Sequence, residues 1–167
     1  MENKSIIAQE FLAELEAEAR ATRGCLENVP LEKAGWKPHE KSMPLGYLAI
    51  LVAEIPRWIQ LMIDDLVIDF ETYKPAQPKT AEELVALFDE NMKSARRALE
   101  NLTDDALGET FYLKAHGKTL YSLPLKANIG STINHGVHHR GQLTVYLRLN
   151  DIAVPSIYGP SADDRSF

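Results

Sequence analysis

"NHGVHHRGQL", residues 134–143, carries three of the chain's five histidines within five positions. It lies inside a stretch from about Ser122–Pro124 to Asn150 whose apolar residues recur at helical rather than alternating spacing. At roughly 100° per residue the side chains can be placed around the axis. With His135 at zero, His139 falls near ~40°, Gln142 near ~−20°, Tyr146 and Asn128 near ~20°, and His138 near ~−60°. These six form one polar stripe. Gly136, Leu143, Leu147 and Ile129 border it on one side, Val145 and Leu149 on the other, and Arg140, Thr144 and Arg148 lie behind. A polar stripe flanked by apolar residues faces the interior of a helical bundle.

Three more segments have the same period. The first runs from about Lys4 to Cys25, with Ala8, Phe11, Leu12, Leu15 and Ala19 along one side. Gly24 and Pro30 mark where it ends. A loop, "LEKAGWKPHEKSMP", leads to a second helix for which Ser42 is the expected cap and Pro44 suits the first turn. That helix carries Tyr47, Leu48, Leu51, Ile55, Trp58 and Met62, and Pro56 should kink it or weaken its ladder. Its extension "DDLVIDFETYKP" is ambiguous and is expected to fray into loop. The third helix is announced by a T-x-x-E capping box, Thr80 and Glu83. "NLTDDALGE" ends it with room for one extra turn, and "TFYLKAHGKTLYSLP" reads as an extended excursion or small hairpin before the last helix. The tail "VPSIYGPSADDRSF" has no period. The expectation is therefore an all-α, four-helix bundle spanning residues 1–167 as one domain.

Bulk chemistry narrows the function classes. With 18 Lys plus Arg against 24 Asp plus Glu, and no basic run, the attraction that drives nucleic-acid binding is missing. The first twenty residues carry acids throughout and do not resemble a signal peptide. No stretch reads as the ~18 apolar residues that a membrane span requires. Cys25 is the only cysteine, which removes disulfides and thiol-rich metal sites. A cytoplasmic protein with neither nucleic-acid nor membrane partners is expected.

Buried imidazoles need partners for both ring nitrogens. His135 and His139 stand at i and i+4, with Cβ atoms about 5–6 Å apart, a spacing that lets two rings converge on one divalent cation. It equally suits a hydrogen-bonded core pair, and a catalytic zinc-type site would need a third protein ligand. His138, beside His139, serves as a supporting or packing group on this reading. Tyr146 and Gln142 either hold the imidazole tautomers or touch a substrate. Arg140 faces away from the stripe, towards a subunit contact or an acid on a neighbouring helix. Cys25 reads as a small packed residue. Glu10, Glu14 and Glu18 form a row that reads as a solvated face, because no E-x-x-H pair accompanies it. His39 is expected in solvent, and Trp36 and Trp58 are expected to pack the second helix.

Two long stretches also resemble a known family. "INHGVHHRGQLTVYLRLNDIAVPSIYGPSADD" (133–164) resembles the C-terminal signature of the DinB-like, or YfiT-like, helical bundles. "KPHEKSMPLGYLAILVAEIPRWI" (37–59) resembles their second-helix region. The resemblance implies a four-helix bundle, often homodimeric. Many such proteins hold a divalent ion, zinc or nickel among others, with a second-helix histidine and the i, i+4 pair of the last helix. Characterised relatives act as thiol-dependent transferases and isomerases on low-molecular-weight thiols. Carried across, the pair is His135 and His139, and the second-helix ligand falls three residues before Glu54, at Leu51.

Leucine cannot ligate a metal, so the implied triad is incomplete. Glu54, His138 and His116 are the candidate substitutes, with Gln142, Tyr146, Leu51 and Asn128 as pocket residues. Two functions stand side by side: a divalent-metal-dependent hydrolase or thiol S-transferase, or a metal-free bundle that binds a small molecule or supports a dimer.

Overall fold

Four long helices form, α1 (Ile6–Glu27), α2 (Leu45–Asp65), α3 (Ala81–Glu100) and α5 (Leu125–Leu149), in a computed structural model that describes residues 4–166. A five-residue helix, α4 (Asp104–Gly108), fills the extra turn expected after α3. The ends follow local chemistry. Ser5 accepts from the Ala8 amide at 3.2 Å, starting α1. Thr80 accepts from the Glu83 amide at 3.2 Å, as the capping box requires, while the Glu83 carboxylate reaches back one residue further, to the Lys79 amide at 2.7 Å. Thr103 caps α4 through the Ala106 amide at 3.3 Å. Ser42 is not the cap of α2; Pro44, in extended conformation, holds that position without a side-chain bond.

The all-α expectation needs correction. Three strands, β1 (Val67–Asp69), β2 (Thr110–Ala115) and β3 (Lys118–Pro124), form a sheet in the order β1-β2-β3. The β2–β3 hairpin is the excursion expected before the last helix. His116 and Gly117 turn it with φ of 52° and 68°, the paired left-handed conformations of a tight hairpin turn. β1 comes from the segment expected to fray. It pairs in parallel with β2, Val67 opposite Tyr112, and Leu66 at φ 55° makes the sharp exit from α2 that aligns it. Three residues cannot announce themselves as a strand; only the distant β2 gives their backbone groups partners.

α2 is the central helix and packs against both α3 and α5, while α1 closes the bundle against α3 and α5. By length and composition α2 could cross a bilayer, contrary to the expectation that no stretch qualifies. Its apolarity matches its place in the core, where Leu48, Val52, Ile59 and Met62 are each at most 3% exposed. Pro56 sits within α2 without ending it. Proline withholds the donor that the Val52 carbonyl would take, and the next carbonyl, Ala53, accepts from the buried Asn91 amide of α3 at 3.0 Å, adding a tertiary bond beside the gap. Gly46 packs its backbone against Ala34, where a Cβ would come within 2.7 Å of the alanine methyl. That contact anchors the preceding loop and holds Trp36 edge-on to Tyr146, ring centres 5.5 Å apart.

Candidate functional site

The polar stripe of α5 does turn inward. His139 and Tyr146 are buried, His135 and Gln142 are half-buried, and only His138 reaches the surface. His139 Nδ1 lies 2.7 Å from Gln142 Oε1, and His139 Nε2 lies 2.7 Å from His135 Nε2. This chain of contacts fixes the tautomers. A carboxamide oxygen only accepts, so His139 Nδ1 carries a proton and its Nε2 is a lone pair. His135 must then donate through Nε2, leaving its own Nδ1 as an acceptor. Both rings are neutral: burial, and then the neighbouring imidazoles His139 and His138, bring His135 down to about 4. Burial lowers His139 as well, against the upward pull of the Gln142 bond.

His135 opens onto a groove of about 510 Å³ whose wall includes Leu51, Glu54 and Trp58 of α2. Tyr47 also lines it, so much of the stripe taken from the sequence as the core face of α2 turns out to be the groove wall. The reason is that α2 is apolar nearly all round, and helical period alone could not say which side meets α5. Trp58 stands 5.7 Å from the His135 ring and 6.0 Å, edge-on, from Tyr73. Its indole N–H donates to the Tyr73 hydroxyl at 2.9 Å. Trp58 therefore lines the groove as well as packing α2. Tyr73 and Phe70 complete the aromatic surface, and nothing in the sequence period of the α2–α3 connection marked them. Burial and the adjacent Glu54 carboxylate push the Tyr73 hydroxyl well above its ordinary value.

The other candidates have different duties. Tyr146 donates its hydroxyl to the Met43 carbonyl at 3.1 Å, tying α5 to the start of α2. Asn128, 2% exposed, donates to the carbonyls of Leu123 and Pro124 at 3.1 and 3.2 Å, so it fastens the β3–α5 junction and not the imidazole pair. His138 is exposed and meets His139 edge-on, ring centres 5.0 Å apart. His116 lies at the hairpin tip, facing Glu71 at 3.8 Å. Glu54 Oε1 accepts from the Ala76 amide at 2.8 Å. His39 is exposed and Cys25 is fully buried.

These positions test the implied metal site. Two imidazole nitrogens on one zinc stand about 3.3 Å apart, given bonds of about 2.0–2.1 Å in tetrahedral geometry. The pair here is closer and shares a proton. Among the described residues no group of three histidine, cysteine or carboxylate side chains is disposed to hold a metal ion. Leu51 supplies a hydrocarbon to the groove where the implied triad has its third histidine. The residues present do not fit a three-ligand centre.

Behind the stripe, Arg140 is 2% exposed and reaches an acid on a neighbouring helix, Glu18 of α1, at 2.5 Å. Its guanidinium also donates to the Thr22 hydroxyl at 3.3 Å and the Tyr158 hydroxyl at 2.9 Å. Tyr158 donates in turn to Glu18 at 3.0 Å. Glu18 thus departs from the solvated row expected for it. Through Tyr158 the aperiodic tail is fixed onto α1 and α5, and the Asp163 carboxylate, which meets Arg148, accepts from the Val154 amide at 2.9 Å.

The DinB family model matches residues 1–165. A DinB-like protein from Bacillus cereus ATCC 10987 superposes with a TM-score of 0.68 at 26% identity, over 93% of this chain and 99% of that one. The DinB-like YjoA of Bacillus subtilis gives 0.67 at 20%, over 85% and 92%. A DinB-family member from Exiguobacterium sibiricum 255-15 gives 0.64 at 18%, over 89% and 95%. No curated protein matches the sequence.

Proposed function

The chain belongs to the DinB family, and from that premise we propose that it binds a small organic molecule in the groove beside His135, without a resident metal ion. The observation that carries this reading is that Leu51 and His135 line the same cavity of about 510 Å³. A volume in this range, with mostly apolar walls and few polar groups, is the usual form of a small-molecule site. The His135–His139 pair supplies one accepting nitrogen on a rigid, neutral support. Gln142 holds the pair in that tautomer.

The second reading is the metal-dependent hydrolase or thiol S-transferase that the family resemblance implied. It asks for a third protein ligand that the described residues do not bring to the pair. Metal analysis of protein purified without a histidine tag separates the two. The expected result is substoichiometric zinc and nickel, with folding unchanged after chelation. Stoichiometric metal that disappears in His139→Ala would overturn the proposal.

A further inference from the structure

Among the described residues a single full charge lines the groove. Glu54 is 2% exposed and lines the cavity. Its Oε1 takes the Ala76 amide and stands at a marginal 3.5 Å from Arg57 Nη1. Arg57 does not line this groove. Its guanidinium lies 5.1 Å over the Tyr73 ring, and its side chain lines the neighbouring cleft with Asp65 and Asp69. Among the described residues no lysine or arginine lines the groove, and its remaining walls are aromatic, aliphatic, thioether, amide or imidazole groups.

This composition discriminates by charge. An anion would meet the Glu54 carboxylate and the negative faces of the aromatic rings, and the cation paired with Glu54, Arg57 at 3.5 Å, reaches it from the neighbouring cleft and not from within the groove. A cation would find a carboxylate and the π faces of Trp58 and Phe70, each of which favours it more strongly as water is excluded, while Arg57 already lies over the Tyr73 ring. Trp58 is the aromatic centre, with Phe70 at 6.3 Å and Tyr73 at 6.0 Å, and its bond to the Tyr73 hydroxyl fixes both rings before any ligand arrives. Such preorganisation reduces the ordering cost of binding.

We propose that the groove selects a small organic cation, an alkyl- or arylalkylammonium, with its charge at Glu54 and its body against Trp58, Tyr73 and Phe70. The inference rests on the reading of the groove as a small-molecule site.

The test uses three probes of one shape, 3-phenylpropylammonium, 3-phenylpropanol and 3-phenylpropanoate, titrated calorimetrically into the full-length protein. The ammonium should bind about ten-fold tighter than the alcohol, a difference of about 1.4 kcal/mol, and the carboxylate should show no saturable binding. Glu54→Gln, checked for native circular dichroism, should erase that preference while leaving the affinity for the alcohol unchanged. Equal binding of alcohol and ammonium, or a preference that survives in Glu54→Gln, overturns the cation assignment while the groove stands as a binding site. If none of the probes binds, both readings fall. Should Glu54→Gln misfold, the charge series on the unaltered protein decides alone.

Discussion

His135 Nε2 and His139 Nε2 lie 2.7 Å apart, so that one shared proton joins two rings on successive turns of α5 into a single hydrogen-bonded unit. The unit is oriented from one end by Gln142 and opens at the other onto the groove. Its polarity is therefore fixed by a residue that never reaches the cavity.

The pair should make stability depend on mildly acidic pH. His135 titrates at about 4 in the folded chain against an ordinary 6.5. Between these values the unfolded chain binds the extra proton, so this contribution is complete above pH 6.5 and is lost as pH falls towards 4. The ring is only half-buried, and discounting for solvent screening leaves about 1–2 kcal/mol. Urea midpoints measured from pH 7.5 to 4.5 should fall accordingly, and the slope should flatten in His135→Asn. The carboxylates Asp163 and Asp164 are also held low, by Arg148 and by the Ser156 amide respectively, but their contributions fade only below about pH 4. A His135 ring resonance titrating near 6.5 would contradict the buried, neutral assignment.

Leu51→His should convert the groove into a three-imidazole centre. Leu51 and His135 already line one cavity, and a third ligand brings the set to the number that catalytic zinc sites use. Zinc or nickel affinity should rise by at least about a hundred-fold over the unaltered protein. Calorimetry with each metal, repeated in Leu51→His/His139→Ala, checks that the gain needs the pair. No gain would mean that α2 presents position 51 away from the imidazoles.

Arg140→Met should cost about 3 kcal/mol or more, because it strands the Glu18 carboxylate in a partly enclosed site. The double change Arg140→Met with Glu18→Leu should recover much of the loss, since replacing both members of a buried pair with apolar groups is often neutral. Chemical denaturation of the two single variants and the double variant gives the coupling directly. Additive losses would show that the two residues act independently.

Asn91→Leu should cost about 1–3 kcal/mol. It removes the donor to the Ala53 carbonyl near Pro56, where the helix already lacks one backbone N–H. Amide exchange in α2 should quicken around residues 52–57 before it does elsewhere. Uniform protection along α2 would argue that Pro56 is tolerated without Asn91.

Helix positions were legible because their causes are local. The capping box at Thr80, the apolar period of α1 and the inward stripe of α5 all follow from residues within a few turns of one another. The left-handed turn at His116–Gly117 fits the same rule, with its glycine visible in the sequence. Glu18 was misread as solvated because its partners, Arg140 and Tyr158, lie over a hundred positions away. Leu51 could be placed opposite the histidines only through resemblance to a family, since α2 is apolar nearly all round and its period does not say which side meets α5.

Amino-acid order by itself determined that this chain forms long helices, that His135 and His139 share a face, and that leucine stands at position 51. The shared face follows from spacing along a helix of fixed pitch, and the helices from their apolar period. Tertiary structure alone decided that β1 joins the hairpin, that Trp58, Tyr73 and Glu54 converge on one cavity, and that Arg140 is buried against α1. Those outcomes depend on which surfaces exclude water together, and that is a property of the packed bundle.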